Sequence, residues 1–250
     1  MLGKKKHKKP WIKFSSPIPG IIDSELVRPQ PAKNFIPDGW KGVPNKMEAP
    51  FPDPNDKYKY IGKNEMVRTS KTCPSFIDVF NHGYVIPAPC DIYLQYNKEK
   101  DVYHYETAIP DIPIVIHSQQ QYLAHLKNPQ HEFIFKLDNV WCIETPKGYS
   151  IQQLPMFWHH NPDWETAMGI LHTDQFHQIN IQLMLKKDCF ETLIKQGDPL
   201  CYVIPYKRLE FEHEYAEFNI KKLITADFNN LGTFAGTAYR KYFNRNKNNG

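Results

Sequence analysis

The chain has 250 residues, 41% of them hydrophobic, enough for one sizeable core with extensions. Its formal charge of +4 is unevenly spread: taking away the six lysines of residues 1–13 and the four cations of residues 239–250 leaves the body at −6. A mildly acidic body with two basic ends excludes a global nucleic-acid-binding face and leaves only the tails to touch phosphate.

No apolar run is long enough to cross a bilayer. The basic start MLGKKKHKKPW has no apolar stretch behind it, so no secretory signal is expected, and Leu2 after Met1 excludes a myristoylated glycine. Lys4, Lys5, Lys6, Lys8 and Lys9 are candidate contacts to nucleic acid or another anionic surface; nothing aromatic interleaves before Trp11, which also fits a solvated terminus. Residues 10–54 hold ten of the 21 prolines. Proline fixes φ and donates no ladder hydrogen bond, so this arm is expected to be neither helix nor central strand. Yet Trp11, Phe14, Ile18, Ile21, Ile22, Phe35, Trp40 and Phe51 are more apolar bulk than a disordered linker carries. The expectation is an extended arm draped over its own body or a neighbouring subunit.

Thr72 to Gly83 reads as one short helix, with Pro74 near its first position and Gly83 able to close it in the left-handed region. Strands follow at Tyr84–Ile86, Asp91–Tyr96 and Val102–Thr107, the last two joined by a polar turn at Asn97 to Asp101. Ser118–Leu126 suits an amphipathic turn and a half. Strands resume at Glu132–Leu137, Val140–Glu144 and Tyr149–Leu154. The clearest is Gln178–Leu185, where Ile179, Ile181, Leu183 and Leu185 alternate with Gln178, Asn180, Gln182 and Met184. Phe190–Ile194 and Leu200–Pro205 are joined by a turn at Gln196-Gly197-Asp198. Tyr215, Phe218, Leu223 and Ile224, then Phe234, Ala235, Ala238, Tyr239 and Phe243, have helical spacing.

Many short strands with frequent turns predict a mainly β protein: a β-clip or jelly-roll-like barrel over 72–208, a basic, Pro-rich extended arm over 1–71, and a helical, basic C-terminal tail over 209–250. Five cysteines, none at Cys-x-x-Cys spacing, read as free thiols of a reducing cytoplasm, with Cys90, Cys142 and Cys201 buried in strands.

Pro146-Lys147-Gly148-Tyr149, Gly169-Ile170-Leu171-His172-Thr173-Asp174, Ile179–Leu185 and Gly197-Asp198-Pro199-Leu200 occur in an order that resembles the β-clip core of the dUTPase and dCTP deaminase superfamily. The resemblance spans residues 144–208 and implies that fold. It does not bring the activity. The superfamily's base is the aspartate of Gly-Val-Ile-Asp, and His172 stands in its place. The Arg-Ser-Gly phosphate motif is replaced by Leu154-Pro155-Met156-Phe157-Trp158, and no Gly-rich phosphate-binding tail follows. Lys195 to Pro205 with Lys207 and Arg208, Lys9 to Phe14 and Gly83 to Pro89 also resemble an uncharacterised family of tailed cyanophages and some bacteria. That resemblance implies a phage or bacterial origin and no activity.

His159, His160, His172, Asp174 and His177, with Asp163 and Glu165, crowd one stretch. Imidazole and carboxylate are ligands of iron and zinc, and His172-x-Asp174 has facial-triad spacing, with His177 or His213 as a third ligand. Only Lys221 and Lys222 follow His213 where an oxo-acid-binding cation would stand. The other reading is a polar loop over Phe157, Trp158 and Trp164, in which His172 donates to a carbonyl or faces solvent and Asp174 caps the turn before Phe176. The second reading is the expectation here: no catalytic set and no cofactor. The chain is then a phage-encoded, non-catalytic binding or structural/assembly protein of the host cytoplasm or virion. It would form a homo-oligomer or meet another viral protein through its N-terminal arm, with no membrane contact. The alternative is an iron- or zinc-dependent, or degenerate nucleotide-hydrolase-like, enzyme at His172/Asp174.

Overall fold

The computed structural model describes residues 9–53, 56–97, 99–110, 112–117, 121, 131–156, 158–186 and 189–217. Lys4, Lys5, Lys6, Lys8, the turn-and-a-half at Ser118–Leu126 apart from Gln121, and the tail beyond 217 lie outside them. In chain order the strands are β1 (Lys13–Ser15), β2 (Gln30–Pro31), β3 (Lys46–Asp53), β4 (Asp56–Arg68), β5 (Tyr84–Pro87), β6 (Ile92–Asn97), β7 (Val102–Thr107) and β8 (Ile114–His117). They continue as β9 (His131–Glu144), β10 (Tyr149–Leu154), β11 (Trp164–Thr166), β12 (Gly169–Leu171), β13 (Gln178–Lys186), β14 (Glu191–Ile194) and β15 (Pro199–Lys207). The helices are α1 (Asp38–Gly42) and α2 (Pro74–Asn81). The fold is mainly β, as its alternation and turn spacing predict. The chain divides into two compact units: Met1–Ile36 with His82–Leu209, and Pro37–Asn81 with Glu210–Gly250.

The first unit holds three antiparallel sheets. One runs β1-β9-β13-β11 with β8 also on β9, a second β12-β10-β15-β5-β2, and a third β14-β6-β7. β13 is the spine. Ile179, Ile181, Leu183 and Leu185 are each at most 2% exposed, because period-2 alternation sends every second side chain to the same face. They join Trp141, Ile143, Ile151, Leu200, Cys201 and Val203 in one core. Trp141 is a neighbour in the same sheet, paired with Ile179, whereas Leu200 to Val203 belong to the second sheet. The stretch read as two strands at 132–137 and 140–144 is the single strand β9. A register shift opposite Asn180, between Trp141 and Leu137, takes residues 138–140 out of the ladder, and the Asp138 N–H bonds instead to the Pro113 carbonyl at 2.9 Å.

The proline-rich arm is more regular than its composition predicts. Its first part edges two sheets of its own chain: β1 pairs β9 and β2 pairs β5. Ile21, Val27 and Ala32 are buried, and Phe14 meets the Tyr84 ring edge-on at 5.1 Å. Edge positions tolerate proline because one side of the strand needs no ladder donor. Gly83 holds φ +80°, and a Cβ there would lie 2.5 Å from the Val203 carbonyl oxygen, so the expected left-handed residue also allows a close backbone approach.

The second unit contains what the arm was not expected to hold, a helix and a long hairpin. β3 pairs β4, with register shifts between Pro50 and Phe51 and between Pro52 and Asp53; the missing proline N–H groups are absorbed as irregularities. Trp40 of α1 packs on Phe76 and Phe80 of α2, with centroids 6.0 and 5.5 Å away. Thr69 Oγ1 donates to the Pro44 carbonyl at 2.6 Å. Residues 209–217 carry no regular structure, so the helix expected to include Tyr215 does not begin there.

Candidate functional site

Two clusters of polar side chains stand at the two ends of β15. Its nine residues, at about 3.3 Å each, put those ends roughly 30 Å apart.

At the C-terminal end, Arg208 clasps Asp174. Nη1 donates to Oδ1 at 2.8 Å and Nη2 to Oδ2 at 2.5 Å, the two-pronged geometry a guanidinium favours. The Gly148 N–H donates to Oδ2 at 2.8 Å. Gly148 sits at φ +84° in a turn closed by the Tyr149 N–H on the Pro146 carbonyl at 3.0 Å. The Asp174 side chain is 3% exposed. The Arg208 hydrogen bonds, then the Gly148 N–H, hold its carboxyl well below the usual carboxylate range, and the same pairing pushes Arg208 up.

Nη1 also meets the Tyr149 carbonyl at 2.9 Å, Ser150 Oγ at 2.7 Å and His172 Nδ1 at 3.1 Å. Ser150 Oγ lies 3.0 Å from His172 Nδ1. A guanidinium only donates, so Ser150 accepts from Arg208 and passes its own proton toward Nδ1. That leaves His172 Nδ1 as an acceptor and puts the neutral ring's proton on Nε2. Ser150 is wholly buried, which removes it as a nucleophile. Beneath, Thr145 Oγ1 and Thr173 Oγ1 share a hydrogen bond of 2.7 Å. The clasp ties together the turn before β10, the loop after β12 and the end of β15.

At the N-terminal end of β15 is a cavity of about 460 Å³. Pro155, Met156, His159, His160 and Asn161 of one loop line it, with Trp164, Glu165 and Thr166 of β11, Lys186, Asp198 and Pro199. Asn161 Oδ1 accepts the N–H groups of Asp163 and Trp164 at 2.8 and 3.2 Å, the side-chain-closed turn its sequence predicts. His159 Nε2 donates to the Phe35 carbonyl at 2.6 Å, so the arm helps hold the loop. Lys186 Nζ donates to the Asn161 carbonyl.

The histidine-rich stretch is therefore not one cluster. His159, His160 and Glu165 belong to the cavity, and His172 and Asp174 to the clasp. Asp163 accepts from Thr192 Oγ1 at 2.8 Å. His177 turns Nδ1 to the Thr173 carbonyl at 2.9 Å, and the His213 ring meets Tyr215 edge-on at 5.7 Å. Asp174 does not cap the turn before Phe176: the Phe176 N–H bonds to the His172 carbonyl at 2.9 Å, while the carboxylate reaches across to Gly148 and Arg208. Among the described residues no group of three or more His, Cys, Asp or Glu side chains is placed to hold a metal ion. Lys9 is exposed. Sequence reasoning missed Ser150, Arg208, Asn161 and Lys186 as site residues. The one signal was Arg208 as a cation directly after the last strand.

The cysteines carry no disulfide. Cys90 and Cys201 are buried and Cys142 is half-buried; burial pushes the Cys201 thiol far up, which leaves it inert.

Fold and site together define a mainly β protein that carries a closed ionic clasp and a cavity among its described residues. No protein-family model matches the chain, and no curated protein matches it in sequence. Among solved structures it is similar to a mutant dUTPase from phage phi11 of S. aureus, described for its coordination of a structural Mg(II) ion. That match has 9% identity and a TM-score of 0.31, and covers 55% of this chain and 84% of the other. No helix among the described residues is long and apolar enough to cross a membrane.

Proposed function

We propose that this is a phage-encoded, non-catalytic structural protein that works by assembling with copies of itself or with another viral protein. The observation that carries the reading is the β3–β4 hairpin, with strands of 8 and 13 residues and no third strand among the described residues. A lone two-stranded ribbon is marginal in water and gains stability when laid on a second surface. Met47 and Met66, near its base, are 51% and 60% exposed, which suits a contact face. The resemblance to tailed-phage sequences supports the origin, and the host cytoplasm or virion is the matching location. The basic tails add phosphate contact at most.

The non-catalytic part is supported by Asp174. Its carboxylate is committed to two guanidinium nitrogens and one backbone N–H, so an iron, zinc or nucleotide-hydrolysing role for His172/Asp174 would first have to break the clasp. Replacing residues 46–68 with a short Gly-Ser linker tests the assembly reading by analytical ultracentrifugation. The intact chain is expected to sediment as an oligomer and the linker variant as a smaller species that still melts cooperatively. An intact chain that stays monomeric at all concentrations would sink the reading.

A further inference from the structure

The cavity beside β11 is a separate feature, and its chemistry does not rest on the assembly reading. Its walls are preorganised by bonds to backbone. Asn161 closes its own turn, Thr166 Oγ1 donates to the Leu200 carbonyl at 2.5 Å, and Asp198 Oδ2 accepts the Lys195 N–H at 2.9 Å. Groups held this way need little reordering to receive a ligand. What remains after those bonds decides the ligand class. An ammonium has three donors, and the bond to the Asn161 carbonyl uses one of those on Lys186. Asn161 uses its Oδ1 and its carbonyl, which leaves both donors of its Nδ2 for a guest. Donors are thus concentrated where Lys186 and Asn161 meet, and His160 also lines the cavity.

Asp198 also lines the cavity, and its charge opposes any ligand bearing several negative charges. Met156, Pro155, Pro199 and Trp164 supply apolar wall. A volume of about 460 Å³ falls within the range of roughly 300–1,000 Å³ typical of small-molecule sites. We propose that this cavity binds a small organic monoanion, a carboxylate on an apolar body. The carboxylate sits at Lys186 and Asn161 and the body lies against Met156 and the two proline rings. His159 and His160, which suggest a metal in the sequence, serve here as wall, and a phosphate chain is disfavoured by the Asp198 carboxylate.

Calorimetric titration of the full chain with sodium benzoate, with inorganic phosphate and choline as the other arms, tests this. Benzoate is expected to bind saturably and the other two not. Lys186→Gln should weaken benzoate by about tenfold or more, the usual consequence of losing a charged hydrogen bond. Asp198→Asn keeps an oxygen for the Lys195 N–H and removes a repelling charge, so it should tighten benzoate; this second variant decides the matter if Lys186→Gln melts early. No saturable benzoate binding, equal or tighter binding of phosphate or choline, or an Asp198→Asn variant that binds no tighter would each overturn the proposal.

Discussion

The two ends of β15 hold polar residues in opposite ways. At the Arg208 end, every strong group faces another: a guanidinium meets a carboxylate that is 3% exposed, a hydroxyl bridges to an imidazole, and two threonines close the floor. At the Asp198 end, Lys186, Asn161 and Asp198 are each tied to backbone and still line an open cavity. Both ends rest on the same core, so the difference comes from the loops. The clasp is built from two short connections and the end of β15, which meet at one corner. The cavity's loop at 155–161 is held from outside, through His159, by the carbonyl of Phe35 in the arm. Paired charge makes a rigid corner, whereas charge tied to backbone leaves a place for a guest.

The hardest test of this contrast is removal of residues 1–36. It takes away two edge strands and the buried Ile21 and Val27, worth roughly 1.5–3 kcal/mol each in burial, together with the Phe35 carbonyl. Thermal denaturation by circular dichroism is expected to lose its cooperative transition or fall sharply. A truncated chain melting like the full one would show that the arm is not part of the core. Next in size is the shared foundation. Ile181→Ala should cost about 2–5 kcal/mol, and Gln182→Ala well under about 1 kcal/mol; equal costs in urea would mean that β13 does not face as described.

The clasp comes next. Arg208→Gln leaves Asp174 without its counter-charge and should lower the melting temperature at neutral pH. The sign of its pH dependence follows from the depressed Asp174 pKa. The stabilisation is complete above the unfolded carboxyl value of about 3.9 and fades as pH falls from there through the lower folded value. Melting curves of wild type and variant should therefore converge below about pH 4 and stay apart above it; a constant gap down to the lowest pH would remove Asp174 as the partner. The smallest effect belongs to the cavity end. His159→Phe loses one neutral hydrogen bond, worth about 0.5–1.5 kcal/mol. Amide exchange should quicken around residues 158–163 and stay unchanged at Ser150. Equal quickening at both would mean that the two ends are one cooperative unit.

Much of this was legible in the residues. Alternation located β13 and its buried face, Pro74 and Gly83 bracketed α2, and the Pro-x-Gly and Gly-Asp turns fell where their order predicts, because these are local properties of backbone and side-chain period. Proline content misled at 38–42, where it argued against a helix and the proline-free Asp38–Gly42 forms one; at 46–53 it argued only against a central strand, and one-sided pairing with register shifts accommodates the prolines. Spacing misled at the histidines: His159 and His172 are close in sequence and belong to opposite ends of a nine-residue strand.

The sequence by itself determined the strands that alternate clearly, β13 above all with its inward face, and the turns at Gly83, Gly148 and Gly197, since each depends on a few adjacent residues. Only the tertiary structure decided that Asp174 answers to Arg208, 34 residues away, that Lys186 is fastened to Asn161, and that Phe35 holds the loop of His159. Such pairings depend on which loops the sheets carry to the same corner, and no period or spacing along the chain encodes that.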